Sequence, residues 1–331
     1  MLTVCVDRAA RLWSCDGTLL AMLRGHEDAL TAACVSPNGA QILTASRDGT
    51  ARLWSPVAEP LAVLRGHRGG LLGAAFHPDA SRLVTLGQDG TARLWSSAGE
   101  PLAVLSGHGQ AVTDGQFSAD GTHLVTASHD GKVQVWDQHG GLRAGWSAHE
   151  APVASVCFSP DGEHVLTAGW DATARLWDRD GKMLAALQGH DSRVLAASFS
   201  PDGECLLTAG RDRTARLWRA TGEPLAVLRY HQSGLLAACF SPDGASVLTV
   251  ASDTHACLWD LRGKLIGVLR GHQRPLTCAS LSPDGAAVLT GSWDGTARLW
   301  PGCGAALPVL RGHHRDRKST RLNSSHLGIS R

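Results

Sequence analysis

Histidine and aspartate recur along this chain at a fixed interval, and side by side they are the vocabulary of general acid–base catalysis. His26, His67, His108, His149, His190, His231, His272 and His313 stand 41 residues apart. Asp7, Asp48, Asp89, Asp130, Asp171, Asp212, Asp253 and Asp294 keep the same step. A catalytic pair is needed once, whereas this pairing comes back in unit after unit. The repetition assigns these residues to structure, and no catalytic residue is expected. Gly131-Lys132, Gly181-Lys182 and Gly263-Lys264 lack the glycine spacing and the following Ser/Thr of a phosphate-binding loop. His26-Glu27 and His149-Glu150 lack the second histidine of an H-E-x-x-H zinc site, and there is no G-x-S-x-G. The nine cysteines include no C-x-x-C pair, and most stand where sister units carry Ala, Val or Leu. They read as small buried or half-buried hydrophobes in a reducing, cytoplasmic compartment. No metal, cofactor or enzymatic activity is expected.

The elements that position these side chains are legible in one unit. LTAACV (30–35) is a short apolar run ending in SPNG, and sister copies read SPDG. Pro at the second turn position and Gly at the fourth fit a type I turn closing a hairpin. QILTAS (41–46) has the character of a buried strand, and RDGT (47–50) follows as a tight turn. ARLW (51–54) alternates with period two, and LAVL (61–64) comes after a loop. Four short strands bounded by turn signals describe one antiparallel blade. Trp13, Trp54, Trp95, Trp136, Trp177, Trp218, Trp259 and Trp300 mark the same 41-residue step, so the blades must stack to bury their apolar faces.

Gly-His, then S-P-D-G, then D-G-T-x-R-L-W over residues 1–313 resembles the WD40-repeat β-propeller family, in the regular form of bacterial arrays. Asp follows the tryptophan only at Asp137, Asp178 and Asp260. The resemblance implies an all-β propeller of four-stranded antiparallel blades. It also implies a hydrogen-bond chain of Trp, Thr, His and Asp within each blade. Trp54, Thr44, His26 and Asp48 would form one such chain, and Trp177, Thr167, His149 and Asp171 another. Residues 1–23 supply a partial blade and 24–310 seven complete repeats. Trp146 aligns with Leu64 and Leu105, which assigns it to a fourth strand and the core.

Periodicity stops after His313, and residues 314–331 are expected to be disordered. DRKSTRLNSSH (316–326) resembles the translation of a sequencing-library adapter, so 316–331 is read as non-native. Arg317, Lys318, Arg321 and Arg331 against Asp316 give that tail +3, leaving −2 from the chain's total of +1. This balance argues against nucleic acid as a partner. There is no apolar run of membrane-spanning length and no secretory signal. No membrane partner is expected, and the chain reads as a fragment of a longer protein.

Function must then lie where the units differ. The residue before each network Asp reads Val6, Arg47, Gln88, His129, Trp170, Arg211, Ser252 and Trp293. A constant Asp beside so variable a neighbour is the pattern of a recognition surface, with exposed tryptophans and arginines as anchors. The expected partner-binding residues are Arg47, Gln88, His129, Trp170, Arg193, Arg211, Arg274 and Trp293. Trp170 is grouped with Arg211 and Arg193, and Trp293 with Arg274. The leading expectation is a non-enzymatic scaffold presenting loops to a protein or peptide partner. The alternative is the C-terminal sensor or regulatory region of a larger signalling ATPase or protein kinase.

Overall fold

The computed structural model describes residues 2–4, 7–14, 18–301 and 309–311. Val6, Cys5, Cys15, Cys303, His313 and the segment 314–331 lie outside the described residues. The strands gather into eight antiparallel sheets in chain order, with no helix among the described residues. Among the described residues no helix is long and apolar enough to cross a membrane. Blade 1 has three strands, Leu2–Val4, Ala9–Trp13 and Leu19–Arg24. Blades 2 to 8 have four each, beginning at Leu30, Leu71, Val112, Val153, Val194, Leu235 and Leu276.

Blade 5 shows why the unit folds this way. Its strands are Val153–Phe158, His164–Gly169, Ala174–Asp178 and Met183–Leu187. The second strand is apolar in sequence and buried from Val165 onward, because both its faces are covered. The fourth strand exposes Met183 and Leu184 and buries only Leu187, as an outer edge would. Between the first two strands, Gly162 N–H donates to the Ser159 carbonyl at 2.9 Å, and Gly162 takes φ 74°. The Ser159 hydroxyl donates to Asp161, whose carboxylate also accepts the Glu163 N–H. That turn needs a residue tolerant of positive φ at its fourth position, which is what the repeated glycine supplies.

The core lies between blades rather than inside them. Each repeated tryptophan packs on the blade before it. Trp54 meets Ala10 and Leu23 of blade 1, Trp95 meets Leu43 and Leu53 of blade 2, and Trp177 meets Val125 and Val135 of blade 4. The series closes on itself where Trp13 of blade 1 packs with Ala297 and Leu289 of blade 8. The eight blades therefore form a ring. Truncating one such buried tryptophan to alanine removes a contact of about 3–5 kcal/mol from an inter-blade seam. Trp146 sits on the fourth strand of blade 4, Leu142–Ser147, half-buried with its ring 5.8 Å from that of Trp177.

Candidate binding face and the network beneath it

The turns joining second to third strands share one rim with the loops that lead from each blade to the next. A single backbone hydrogen bond ties the two together in blades 2 to 8. The donor is the N–H of Arg47, Gln88, His129, Trp170, Arg211, Ser252 or Trp293. The acceptors are the carbonyls of Ala29, Gly70, Ala111, Pro152, Arg193, Gly234 and Pro275 respectively, at 2.9–3.1 Å. The variable position thus has a fixed backbone and a free choice of side chain. That is the physical content of a constant frame carrying variable chemistry.

The frame below is the four-residue network. In blade 5 the Trp177 indole N–H donates to Thr167 Oγ1 at 3.0 Å, and Thr167 meets His149 Nε2 at 2.8 Å. His149 Nδ1 lies 2.9 Å from Asp171, which also accepts from Thr173 at 2.7 Å. Blade 2 repeats this with Trp54, Thr44, His26 and Asp48, each link at 2.9 Å. Burial pushes His26 and His149 below the ordinary 6.5, against the opposing pull of their aspartates. Burial alone would raise Asp48, but bonds from Thr50, the Glu27 N–H and His26 hold it down to about 2. Neutral histidine and ionised aspartate give a consistent donor direction: Trp N–H to Thr, Thr O–H to His, His Nδ1–H to Asp. In blades 2 and 5 both nitrogens of the network histidine have a structural partner.

Blade 4 carries Lys132 in place of the threonine after the turn. Its aspartate lacks that hydroxyl partner, and His108 Nδ1 stands 3.5 Å from Asp130, beyond hydrogen-bond reach. In blade 1 the fully buried Arg11 lies 2.5 Å from Asp7.

Above this frame, the expected anchors fall into two groups. Trp170 is half-buried, not the exposed loop residue read from the sequence. Its ring lies 5.3 Å from that of His129 in blade 4, and the Arg193 guanidinium carbon lies 4.1 Å over it from the loop entering blade 6. Three blades meet in that stack. A cation over an indole is attracted by the ring quadrupole, worth about 0.5–1 kcal/mol when exposed, and this orders both side chains. Arg211 was grouped with Trp170 from sequence; here it is exposed, and its N–H holds the Arg193 carbonyl at 2.9 Å. Trp293 is 50% exposed on blade 8. Its N–H is held by Pro275, and Ser292 Oγ donates to the Arg274 carbonyl at 2.8 Å, which places Arg274 beside it on the rim. Gln88 is exposed and Arg47 half-buried at their own positions.

Sequence reasoning missed two features. A cleft of about 600 Å³ between blades 5 and 6, on the opposite rim, is walled by Leu184, Phe199 and the Asp161 and Asp202 turns. Its walls come from unrelated positions of two units, so no spacing signals it. In blade 7, His231, His255 and Cys257 converge as metal-ligand chemistry. Among the described cysteines, Cys239 and Cys257 are buried and Cys34, Cys157 and Cys205 half-buried, but Cys278 is exposed, unlike the small-hydrophobe reading.

A family model described as IFT122 first beta-propeller matches residues 1–260, and one described as WD domain, G-beta repeat matches 263–301. No curated protein sequence matches the chain. Among solved structures, the crystal structure of the computationally designed Ika8 protein is 28% identical. It aligns over 88% of this chain and 89% of that one with a TM-score of 0.79. With the ring of blades and the repeated Trp–Thr–His–Asp network, these matches lead to one assignment: the chain belongs to the WD40-repeat β-propeller family.

Proposed function

We propose that the protein is a non-enzymatic scaffold that grips a protein or peptide segment on the rim carrying the variable positions. Propellers of this family generally serve as protein-interaction scaffolds. The observation that carries the reading is the stack of His129, Trp170 and Arg193. It presents an ordered aromatic edge beside a guanidinium, on backbone fixed by the same bond in blades 2 to 8. Arg211 extends the cationic side of that cluster, and Trp293 with Arg274 forms a second anchor farther around the ring. An aromatic beside guanidinium groups suits a segment with carboxylates flanked by apolar side chains. The remaining variable positions, Arg47 and Gln88, set which segment fits. The free thiols of Cys34, Cys157, Cys205, Cys239 and Cys257 favour a reducing compartment such as the cytoplasm.

The test is selection of displayed random peptides on the immobilised protein. Peptides pairing Asp or Glu with aromatic or aliphatic residues are expected, and Arg193→Glu should abolish their binding. Enrichment of basic peptides, or retention by Arg193→Glu, would overturn the assignment.

A further inference from the structure

Blade 7 departs from the repeat at four neighbouring positions. Tyr230 stands where Gly25, Gly66, Gly107, Gly189 and Gly271 stand elsewhere, and Cys257 replaces Arg52, Arg93, Arg216 and Arg298. In the ordinary unit these two positions touch: a Cβ on Gly189 would lie 2.5 Å from Arg216 Nη1, and one on Gly271 2.7 Å from Arg298 Nη1. Alanine at this place coexists with arginine at the other, as Ala148 does with Arg175 in blade 5, but the larger Tyr230 is paired with the short Cys257. His255 replaces Thr50, Thr91, Thr173, Thr214 and Thr296, whose hydroxyls bond the network aspartate. Thr254 lacks the positive φ of its seven counterparts Arg8, Gly49, Gly90, Gly131, Ala172, Arg213 and Gly295. The turn is rebuilt, and the Asp253 carbonyl accepts the Leu276 N–H of blade 8 at 2.7 Å.

The result is a cluster of ligand chemistry. The His255 ring stacks on that of His231 at 5.4 Å and 12°. His255 Nε2 is buried without a hydrogen-bond partner. It lies 3.7 Å from Asp253 Oδ2, the oxygen that His231 Nδ1 meets at 2.8 Å. Ligand atoms of His231, His255 and Cys257 all fall within 4.8 Å of one another. A buried imidazole nitrogen with no partner bears its desolvation cost uncompensated unless something binds it.

We propose that blade 7 binds a zinc-class divalent cation through His255 Nε2, Cys257 Sγ and His231 Nδ1, beside the Asp253 carboxylate. Thiolate with imidazole is the donor set that selects zinc over the oxygen-loving cations. The cation takes the place of the proton between His231 and Asp253. His231 Nε2 keeps its 2.9 Å bond to Thr249, so the blade's network survives loading. The Cys257 thiol gives up its proton on binding, while the His231 proton passes from Nδ1 to Nε2, which then donates to Thr249 and keeps the ring neutral. With one thiolate and one carboxylate, the dication is neutralised in place. Tetrahedral zinc holds its ligand atoms about 3.5 Å apart, so the cluster contracts by about 1 Å through side-chain rotation. A shallow cleft walled by Thr214, Tyr230, His231 and Gln232 gives the ion a path from the rim.

The test strips the full chain with a chelator and titrates it with Co(II), then Zn(II). One equivalent of Co(II) is expected to give thiolate-to-cobalt charge-transfer absorption, which Zn(II) abolishes. Cys257→Ala and His255→Thr should remove the band and weaken Zn(II) binding at least about tenfold. Cys157→Ala, at a half-buried thiol on blade 5, should keep both. Where a single variant fails to fold, the triple reversion Tyr230→Gly, His255→Thr, Cys257→Arg restores the residues of other blades and serves as the folded reference. No thiolate band at one equivalent, or a band that survives in Cys257→Ala or in the reversion, overturns the proposal.

Discussion

Replacing Thr167 with valine removes one hydroxyl while keeping the shape of the side chain. That hydroxyl is fully buried and joins two side chains, the Trp177 indole N–H at 3.0 Å and His149 Nε2 at 2.8 Å, beside the Arg175 carbonyl at 3.2 Å. In Thr167→Val both partners remain buried with nothing to bond. Each buried group left unsatisfied costs about 1–3 kcal/mol, so the variant should lose about 2–6 kcal/mol. Thr167→Ser separates this from packing. It keeps the oxygen and loses one methyl group, worth about 0.8 kcal/mol. Urea unfolding followed by tryptophan fluorescence and far-ultraviolet circular dichroism should give an order of parent, serine, then valine. The valine variant should fall at least about 2 kcal/mol below serine at similar m-values. Equal midpoints for valine and serine would refute the network as a source of blade stability and reduce the repeated Thr to a packing residue.

Acid should destabilise the ring in two stages. His26, His67, His149 and His272 sit below 6.5 because burial resists the charged form. Their contribution is complete above pH 6.5 and falls as pH drops below it, where only the unfolded chain takes the proton. Asp48, Asp89 and Asp294 are held at about 2 against an ordinary 3.8. Their contribution is complete above pH 3.8 and is lost as pH falls through 2, so stability against pH should show both declines. Trp293→Ala, at a half-exposed site, should change stability by less than about 1 kcal/mol, while Trp170→Ala should cost more because it also releases Arg193 and His129. In a thiol-labelling time course read by peptide mass spectrometry, Cys278 should react first. Cys34, Cys157, Cys239 and Cys257, pushed up to about 12 mainly by burial, should stay unmodified in the native protein.

The ring was legible because its determinants repeat. Trp, Thr, His and Asp recur at one spacing, and the structure joins them in blades 2, 3 and 5 to 8 at closely similar distances. The variable rim was legible as positions but not as contacts. Trp170 meets His129 from the blade before and Arg193 from the loop after, and no single repeat contains all three. Burial of Trp170 followed from that meeting, so an indole read as exposed proved half-covered. The blade 7 cluster was illegible for a related reason. His231 and Cys257 lie on different loops and strands of one blade, and motif spacing anticipates ligands near in sequence. What marked the place was the joint departure of Tyr230, His255 and Cys257 from the repeat, and the close Gly189–Arg216 approach shows that the first and last of these positions are neighbours.

The most direct measurement is the affinity of a rim-selected acidic peptide for the parent protein, for Trp170→Ala and for Leu102→Ala on the outer edge of blade 3. Leu102 is 52% exposed on a fourth strand, away from the rim, and serves as the control. Binding should weaken at least about tenfold in Trp170→Ala, the scale of a hot-spot aromatic, and stay unchanged in Leu102→Ala. Equal affinity for all three, with each variant folded, would contradict the claim that the variable rim is the binding face.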